Sequence, residues 1–265
     1  MHFPLKKFDQ SEKSLNDYEY SLFSQNGEDG IFNHIFNKIG FTSRKSVEIG
    51  FGYKENNSLF LITKHDFESL LIDGQDHNVD VFNFFNNKYL KSKSVAVKSW
   101  ITKDNINSTI AKYVHDISID LLSIDIDGND YWIWEAINSI EPRVVILEYN
   151  ASFYNNSITI PYDINFDRTN FSNKPRDSHW YHGASLKALT KVSKRKGYKL
   201  VGTDSKGINC FFIKDEIVKR YNIKTYEAEE VFKPHYTRVN GLLTKMPMES
   251  KKQFEMLKDF RFVKV

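Results

Sequence analysis

The chain has 265 residues, 40% hydrophobic and 15% aromatic, with a formal net charge of +3. This composition excludes a disordered chain, and so mild a charge gives no basis for nucleic-acid binding. A single cysteine, Cys210, excludes an intramolecular disulfide and fits a reducing, cytoplasmic setting.

Residues 1–23 are polar and aromatic without a clean period, and Met1–Lys7 lacks the apolar core of a signal peptide. No stretch approaches the ~20 apolar residues of a membrane span. Ser24–Gly30 is a polar turn able to cap a helix, on which Ile31, Phe32, Ile35, Phe36 and Ile39 fall at helical spacing. Ser46–Ile49 reads as a buried strand opening into Gly50-Phe51-Gly52. Asn57 or Ser58 caps a short helix through Ile62, strand two is Ser69–Ile72, and Val79, Phe82 and Phe85 lie on a second short helix. Further strands are expected at Ser94–Val97, Ile119–Ile126 and Arg143–Tyr149, with a helix over Asp130–Ile137 before the last. Strands apolar on both faces and alternating with helices predict a parallel sheet covered on both sides. Ala184–Lys196 is an amphipathic helix stopped by Gly197. The turn between Tyr198–Gly202 and Ile208–Ile213 is too short for a parallel crossover, so these two strands pair antiparallel.

The first chemical signal is the pair formed by Gly50-Phe51-Gly52 and Asp73. Two glycines let a ligand approach bare backbone, and an acid at the tip of the next strand is placed to accept hydrogen bonds from a ribose diol. The third glycine of a dinucleotide fingerprint is absent, so a pyrophosphate is poorly served. A parallel core closed by one hairpin also departs from the all-parallel dinucleotide sheet and matches class I S-adenosylmethionine-dependent methyltransferases. Glu48, inside an apolar strand, needs a partner: the cofactor's ammonium, a loop amide or a basic side chain. The second signal is Asp125-Ile126-Asp127, two acids on one strand face at the ligand-binding edge, with Glu148 and Asn150 at the neighbouring edge. Asp125, Glu148 and Asn150 suit a hard cation such as Mg²⁺ or Mn²⁺; alternatively Asp130 caps its helix and Asp127 shapes a turn. His179 or His182 is a candidate base or metal ligand. The long loop 151–180, carrying Lys174 and Arg176, is expected to cover an acceptor.

Ser24–Gly30, Val47–Gly52, Ile124–Trp132, Glu148-Tyr149-Asn150, Pro161-Tyr162-Asp163 and Gly183–Leu186 together resemble the FkbM-like methyltransferases, in particular the branch found in bacterial surface-polysaccharide gene clusters. The resemblance covers about residues 20–215. It implies a class I fold: a seven-stranded, mostly parallel sheet with a C-terminal antiparallel hairpin and helices on both faces. It implies an oxygen acceptor on a sugar or a related capsule or lipopolysaccharide building block. It also implies Gly50 and Gly52 at the methionine end of S-adenosylmethionine, Asp73 on the ribose, Asp125 near the reacting methyl and Gln25 over the cofactor. Asn57 joins Glu48 among the expected cofactor contacts.

The expected organisation is one methyltransferase domain over 1–265. It has an N-terminal helical cap to about residue 45, a core over 46–215 and a C-terminal extension over 216–265 that carries no motif. Methyl transfer from a sulfonium needs alignment and an acceptor freed of its proton. Asp125, Asp127 and Glu148 are expected to line the acceptor site, either through a divalent cation or with Asp127 or His182 as base. The acceptor is expected to be a small-molecule, nucleotide-linked or phosphorylated saccharide, and a homo-oligomer is compatible with the chain. Two other readings stay open: an NAD-dependent sugar oxidoreductase and a non-catalytic methyltransferase-like binding module.

Overall fold

The computed structural model describes residues 14–168, 180–242 and 247–265. A turn of 3-10 helix over Leu15–Tyr18 precedes α1 (Glu28–Ile39). The core follows as β1 (Lys45–Ile49), α2 (Ser58–His65), β2 (Glu68–Asp73), α3 (Asp76–Phe85), β3 (Val95–Lys98), α4 (Ile106–Ala111), β4 (Ser118–Ile124), α5 (Asp130–Ala136) and β5 (Glu141–Glu148). A short β6 (Ile158–Thr159) precedes α6 (Leu186–Arg195), β7 (Tyr198–Thr203) and β8 (Asn209–Lys214). The C-terminal part holds α7 (Asp215–Tyr221), α8 (Ala228–Val231), α9 (Tyr236–Val239), α10 (Ser250–Leu257) and β9 (Val263–Lys264).

The main sheet has the order β3-β2-β1-β4-β5-β8-β7. Pairs from β3 through β5 are parallel, while β8 runs antiparallel to both β5 and β7. This is the class I methyltransferase sheet expected from the sequence, including its terminal hairpin. The order reverses between β1 and β4, the crevice where open α/β sheets bind ligands.

Strand alternation divides the core into two layers. Val145 and Leu147 of β5 pack with Trp134, Leu186 and Leu189 under α5 and α6. Val144 and Ile146 pack on the other face with Ile31, Phe32 and Leu61 under α1 and α2. A third cluster joins Phe153, Ile158, Ile160, Trp180 and Tyr181 to Met248 and Leu257. The motif-free extension therefore docks on the loop that follows β5. β6 pairs with β9, the Tyr181 hydroxyl donates to the Arg261 carbonyl (2.6 Å), and the Tyr149 hydroxyl donates to the Lys233 carbonyl (2.8 Å).

The sequence placed the end of strand four at Ile126; the structure ends it at Ile124. The amide of Asp125 still donates to the Ile49 carbonyl (2.9 Å), but Asp127 lies in a turn with φ of +56°. Helix α4 was not foreseen, because six residues carry only two fully buried aliphatics, Ile106 and Ile110. Among the described residues no helix is long and apolar enough to cross a membrane.

Candidate active site

Two cavities of about 350 and 390 Å³ open at the carboxyl ends of β1, β2 and β4 and share Gly50, Phe51, Gly52 and Asp125 in their walls. The turn after β1 is tight for a physical reason. Gly50 has φ of +77°, and a Cβ there would sit 1.7 Å from the Asp125 carbonyl oxygen. Only glycine lets the loops after β1 and β4 meet this closely. At Gly52 a Cβ would stand 3.0 Å from the Glu55 carbonyl, a milder constraint.

The first cavity is lined by Asp73, Gly74, Trp100, Ile126, Asn129 and Phe166 besides the shared wall. Asp73 ends β2 and is half-buried. One carboxylate oxygen accepts from the Phe51 amide (3.3 Å), and the other from the Gln75 amide (2.7 Å) and Asn78 Nδ2 (3.2 Å). Trp100 exposes 57% of its surface beside this cavity, held by a 2.8 Å bond from its indole N–H to the Ile164 carbonyl. Neither Trp100 nor Phe166 was singled out from the sequence, since no spacing links either to the glycine turn.

The second cavity is lined by Gln25, Asn26, Glu28, Glu48 and Asn57, with Asn209 from β8. Of the partners open to Glu48, the structure supplies loop amides: its carboxylate accepts the Asn57 and Ser58 N–H groups at the start of α2, both at 2.8 Å. A carboxylate is well placed at a helix N-terminus. Burial nevertheless pushes its pKa up to about 7 against the pull of those bonds. The Asn57 side chain donates to Ser123 Oγ (3.0 Å). Gln25 is exposed to the cavity because its neighbours are tied down. Asp29 accepts the amides of Leu22, Phe23 and Ser24, and Glu28 accepts the Asn26 amide and Asn209 Nδ2.

The loop after β4 carries the acids. Asp130 starts α5 and folds the loop back, accepting from the amides of Ile126 and Gly128, each at 2.9 Å. Burial raises its pKa to about 6. Asp127 takes the turn position of the alternative reading, but the N-cap of α5 is Asn129 and the Asp130 carboxylate binds loop amides instead of helix N-terminal ones. Burial at the sheet edge, then the charges of Asp127 and Asp130, raise Asp125 well above the ordinary carboxylate range. Its side chain is nevertheless exposed to the cavity. Glu148, at the end of β5, is raised well above the ordinary range by burial and then by Asp125, Asp127 and Asp130. Asp127 is paired with Arg168.

His182 is buried against this cluster. Its Nδ1 lies 3.7 Å from Glu148 Oε2 and has no hydrogen-bond partner within bonding distance among the described residues, while its Nε2 stands 3.1 Å from a guanidinium nitrogen of Arg238. Burial, followed by the charges of Arg168 and Arg238, holds the imidazole well below its ordinary pKa. A guanidinium only donates, so Nε2 accepts and the neutral ring carries its proton on Nδ1. With Nε2 turned to a guanidinium, the His182 nitrogen that faces the acid cluster is Nδ1, beside Glu148. His179, Lys174 and Arg176 lie outside the described residues.

Of the expected cation set Asp125, Glu148 and Asn150, the Asn150 amide is engaged elsewhere. Asn150 Nδ2 donates to the carbonyls of Trp180 (2.5 Å) and His182 (2.8 Å), and its Oδ1 accepts from the Ser152 amide and Arg238. Asp127, Glu148 and His182 instead bring one potential ligand atom each within 4.8 Å of one another. The surroundings of His182 do not suit it as a cation ligand. A metal-bound imidazole presents a bare nitrogen to the ion and donates from the other, whereas here the outer nitrogen accepts from Arg238. Nδ1 would have to lose its only N–H proton to ligate.

No family model matches the chain, and no curated protein does. Among solved structures, the chain is similar to a putative sarcosine dimethylglycine methyltransferase from Galdieria sulphuraria, with 12% identity over 68% of this chain and a TM-score of 0.46. It spans 64% of that protein, less than two thirds. It is also similar to an O-methyltransferase from Bacillus cereus in complex with S-adenosylhomocysteine (14% identity, 75% of this chain, 83% of that one, TM-score 0.46). The N-terminal domain of EvdMO1 with S-adenosylhomocysteine bound gives 11% identity, 72% and 81% coverage and a TM-score of 0.46. Likenesses this distant carry no functional argument, and the fold assignment stands on this chain's own strand order.

Proposed function

We propose that the protein is an S-adenosylmethionine-dependent O-methyltransferase acting on a small-molecule acceptor, a sugar or related building block of a bacterial surface polysaccharide. The observation that carries the methyl-transfer reading is the acid-lined crevice at the sheet's reversal point. Gly50 and Gly52 offer bare backbone, Asp73 stands at the ribose position, and Glu48, Glu28 and Asp125 line the region beside them. A cofactor bearing a sulfonium and an ammonium suits such a wall; a pyrophosphate does not. The sugar acceptor rests on the sequence resemblance.

In this reading Asp73 and the Trp100 indole hold the adenosine end, while Gln25, Glu48 and Asn57 bound the methionine end. S-adenosylmethionine supplies an activated methyl group. The chain's own work is to align an acceptor hydroxyl and to receive its proton. Glu148 and Asp125 are the candidates for that proton. Their raised pKa values make whichever is ionised a stronger base than an exposed carboxylate, and close acids hold a proton between them. Asp127, tied to Arg168, borders the acceptor space.

Calorimetric titration with S-adenosylhomocysteine and with NAD⁺ tests the cofactor. S-adenosylhomocysteine is expected to bind and NAD⁺ is not. Asp73→Ala is expected to weaken binding on the order of tenfold to a hundredfold, since bonds to a charged group are worth roughly 1.5–3 kcal/mol. Binding of NAD⁺ alone would move the assignment to an oxidoreductase. Binding of neither would leave a non-catalytic module.

A further inference from the structure

We infer that Arg238, from the segment after the sheet, is a positioning residue that fixes His182 as an Nδ1–H donor toward Glu148, and that this polar chain stands where a divalent cation would otherwise be sought. The inference rests on the methyltransferase reading only for what Glu148 does, not for the tautomer itself.

Arg238 is 4% exposed, and its guanidinium is wholly engaged with the wall of the site. One terminal nitrogen donates to Asn150 Oδ1 (2.9 Å) and Ser152 Oγ (2.7 Å). The other faces His182 Nε2 at 3.1 Å. Since Arg238 has no acceptor to offer, His182 has one tautomer left. That tautomer directs its N–H at Glu148 across 3.7 Å, a gap that a small side-chain movement closes when an acceptor enters. His182 is 1% exposed, and its Nδ1 meets no other acceptor among the described residues. A buried N–H so placed has one destination.

The consequence is an ordered carboxylate. With one Glu148 oxygen facing Nδ1–H, the other is left to address the acceptor. A cation ligated by His182 in the same space would need a bare Nδ1, which the bond from Arg238 to Nε2 opposes. Buried side-chain groups support Arg238 in turn: the Ser152 hydroxyl donates to Gln253 Oε1 (2.5 Å) on α10, and Gln253 Nε2 donates to the Met248 carbonyl (2.6 Å). Residues from α9 and α10 thus reach the end of β5.

Nitrogen-15 NMR of protein labelled at histidine tests this directly. His182 is expected as the neutral Nδ1–H form, in Arg238→Lys as well, because lysine keeps a donor. In Arg238→Met the signal is expected to shift toward the Nε2–H form. Mn²⁺ added to wild-type protein is expected to leave the His182 resonances unbroadened. An Nε2–H or charged His182 in wild type, or selective broadening of the His182 resonances by Mn²⁺, overturns the inference. The wild-type spectrum needs no variant to fold and no substrate. Failure to bind S-adenosylhomocysteine, by contrast, would remove the methyltransferase reading and leave the tautomer standing.

Discussion

Individual residues in this site are constrained by contacts that lie far apart in the chain. Gly50 shows the case most sharply. Its positive φ and the 1.7 Å at which a Cβ would meet the Asp125 carbonyl act together, so Gly50→Ala must both strain the turn and part the loops after β1 and β4. Gly40 has φ of +66° but open space around it. Its ψ of 169° lies in a backbone region almost confined to glycine, so Gly40→Ala is expected to cost roughly 1–3 kcal/mol of local strain and to spare S-adenosylhomocysteine binding. Gly50→Ala is expected to lower stability further and to abolish that binding; thermal melts and calorimetry on the pair separate the two effects. The glycine turn and Asp73 were legible in the sequence because strand, turn and acid follow one another locally. The states of His182 and Asn150 were not. Each is fixed by Arg238, 56 and 88 residues further on, and no pattern within one element reports such a contact.

At the level of elements, the alternation of apolar strands with helices announced the parallel core, and the short Asp204–Gly207 turn announced the hairpin. What the pattern missed is where β4 stops. Ile126 continues the apolar run, yet its amide donates to the Asp130 carboxylate instead of a neighbouring strand. The loop 125–130 is therefore a product of α5, whose first residue reaches back over it. Asp130→Ala removes the acceptor for two loop amides and is expected to cost about 1–3 kcal/mol, the scale of leaving buried donors unsatisfied. Because Asp125 rides on this loop, the same change is expected to weaken S-adenosylhomocysteine binding while leaving the circular-dichroism spectrum unchanged. Unaltered binding would mean that β4 and Gly50 hold Asp125 without help from Asp130.

Across the whole molecule, acids are buried at both the site and the hairpin, and this shapes stability against pH. Burial raises Glu48 and Asp204 to about 7. Both therefore hold protons more tightly when folded than when unfolded. Their contribution is fully present below the ordinary carboxylate range and is lost as pH rises through about 7. Histidines act in the opposite sense: His34 and His65 are lowered, His182 is well below its ordinary value and His235 is lowered to about 3, chiefly by burial. A histidine kept neutral by the fold weakens it as pH falls through the unfolded value, about 6.5. Below that point acids and histidines oppose one another; above it only the acids titrate. The ligand-free protein is thus expected to lose stability from about pH 6.5 to about pH 8, by on the order of 1 kcal/mol for each of the two acids. Asp204 gives the cleaner test, because it lies in the hairpin turn and accepts amides from Lys206, Ile208 and Asn209, away from the loop 125–130. Asp204→Asn is expected to lower stability outright, since an amide cannot accept all three bonds, but also to flatten its decline with pH. Denaturant melts of both proteins at several pH values read that slope, and an unchanged slope in the variant would show that Asp204 is already ionised in the folded protein at neutral pH.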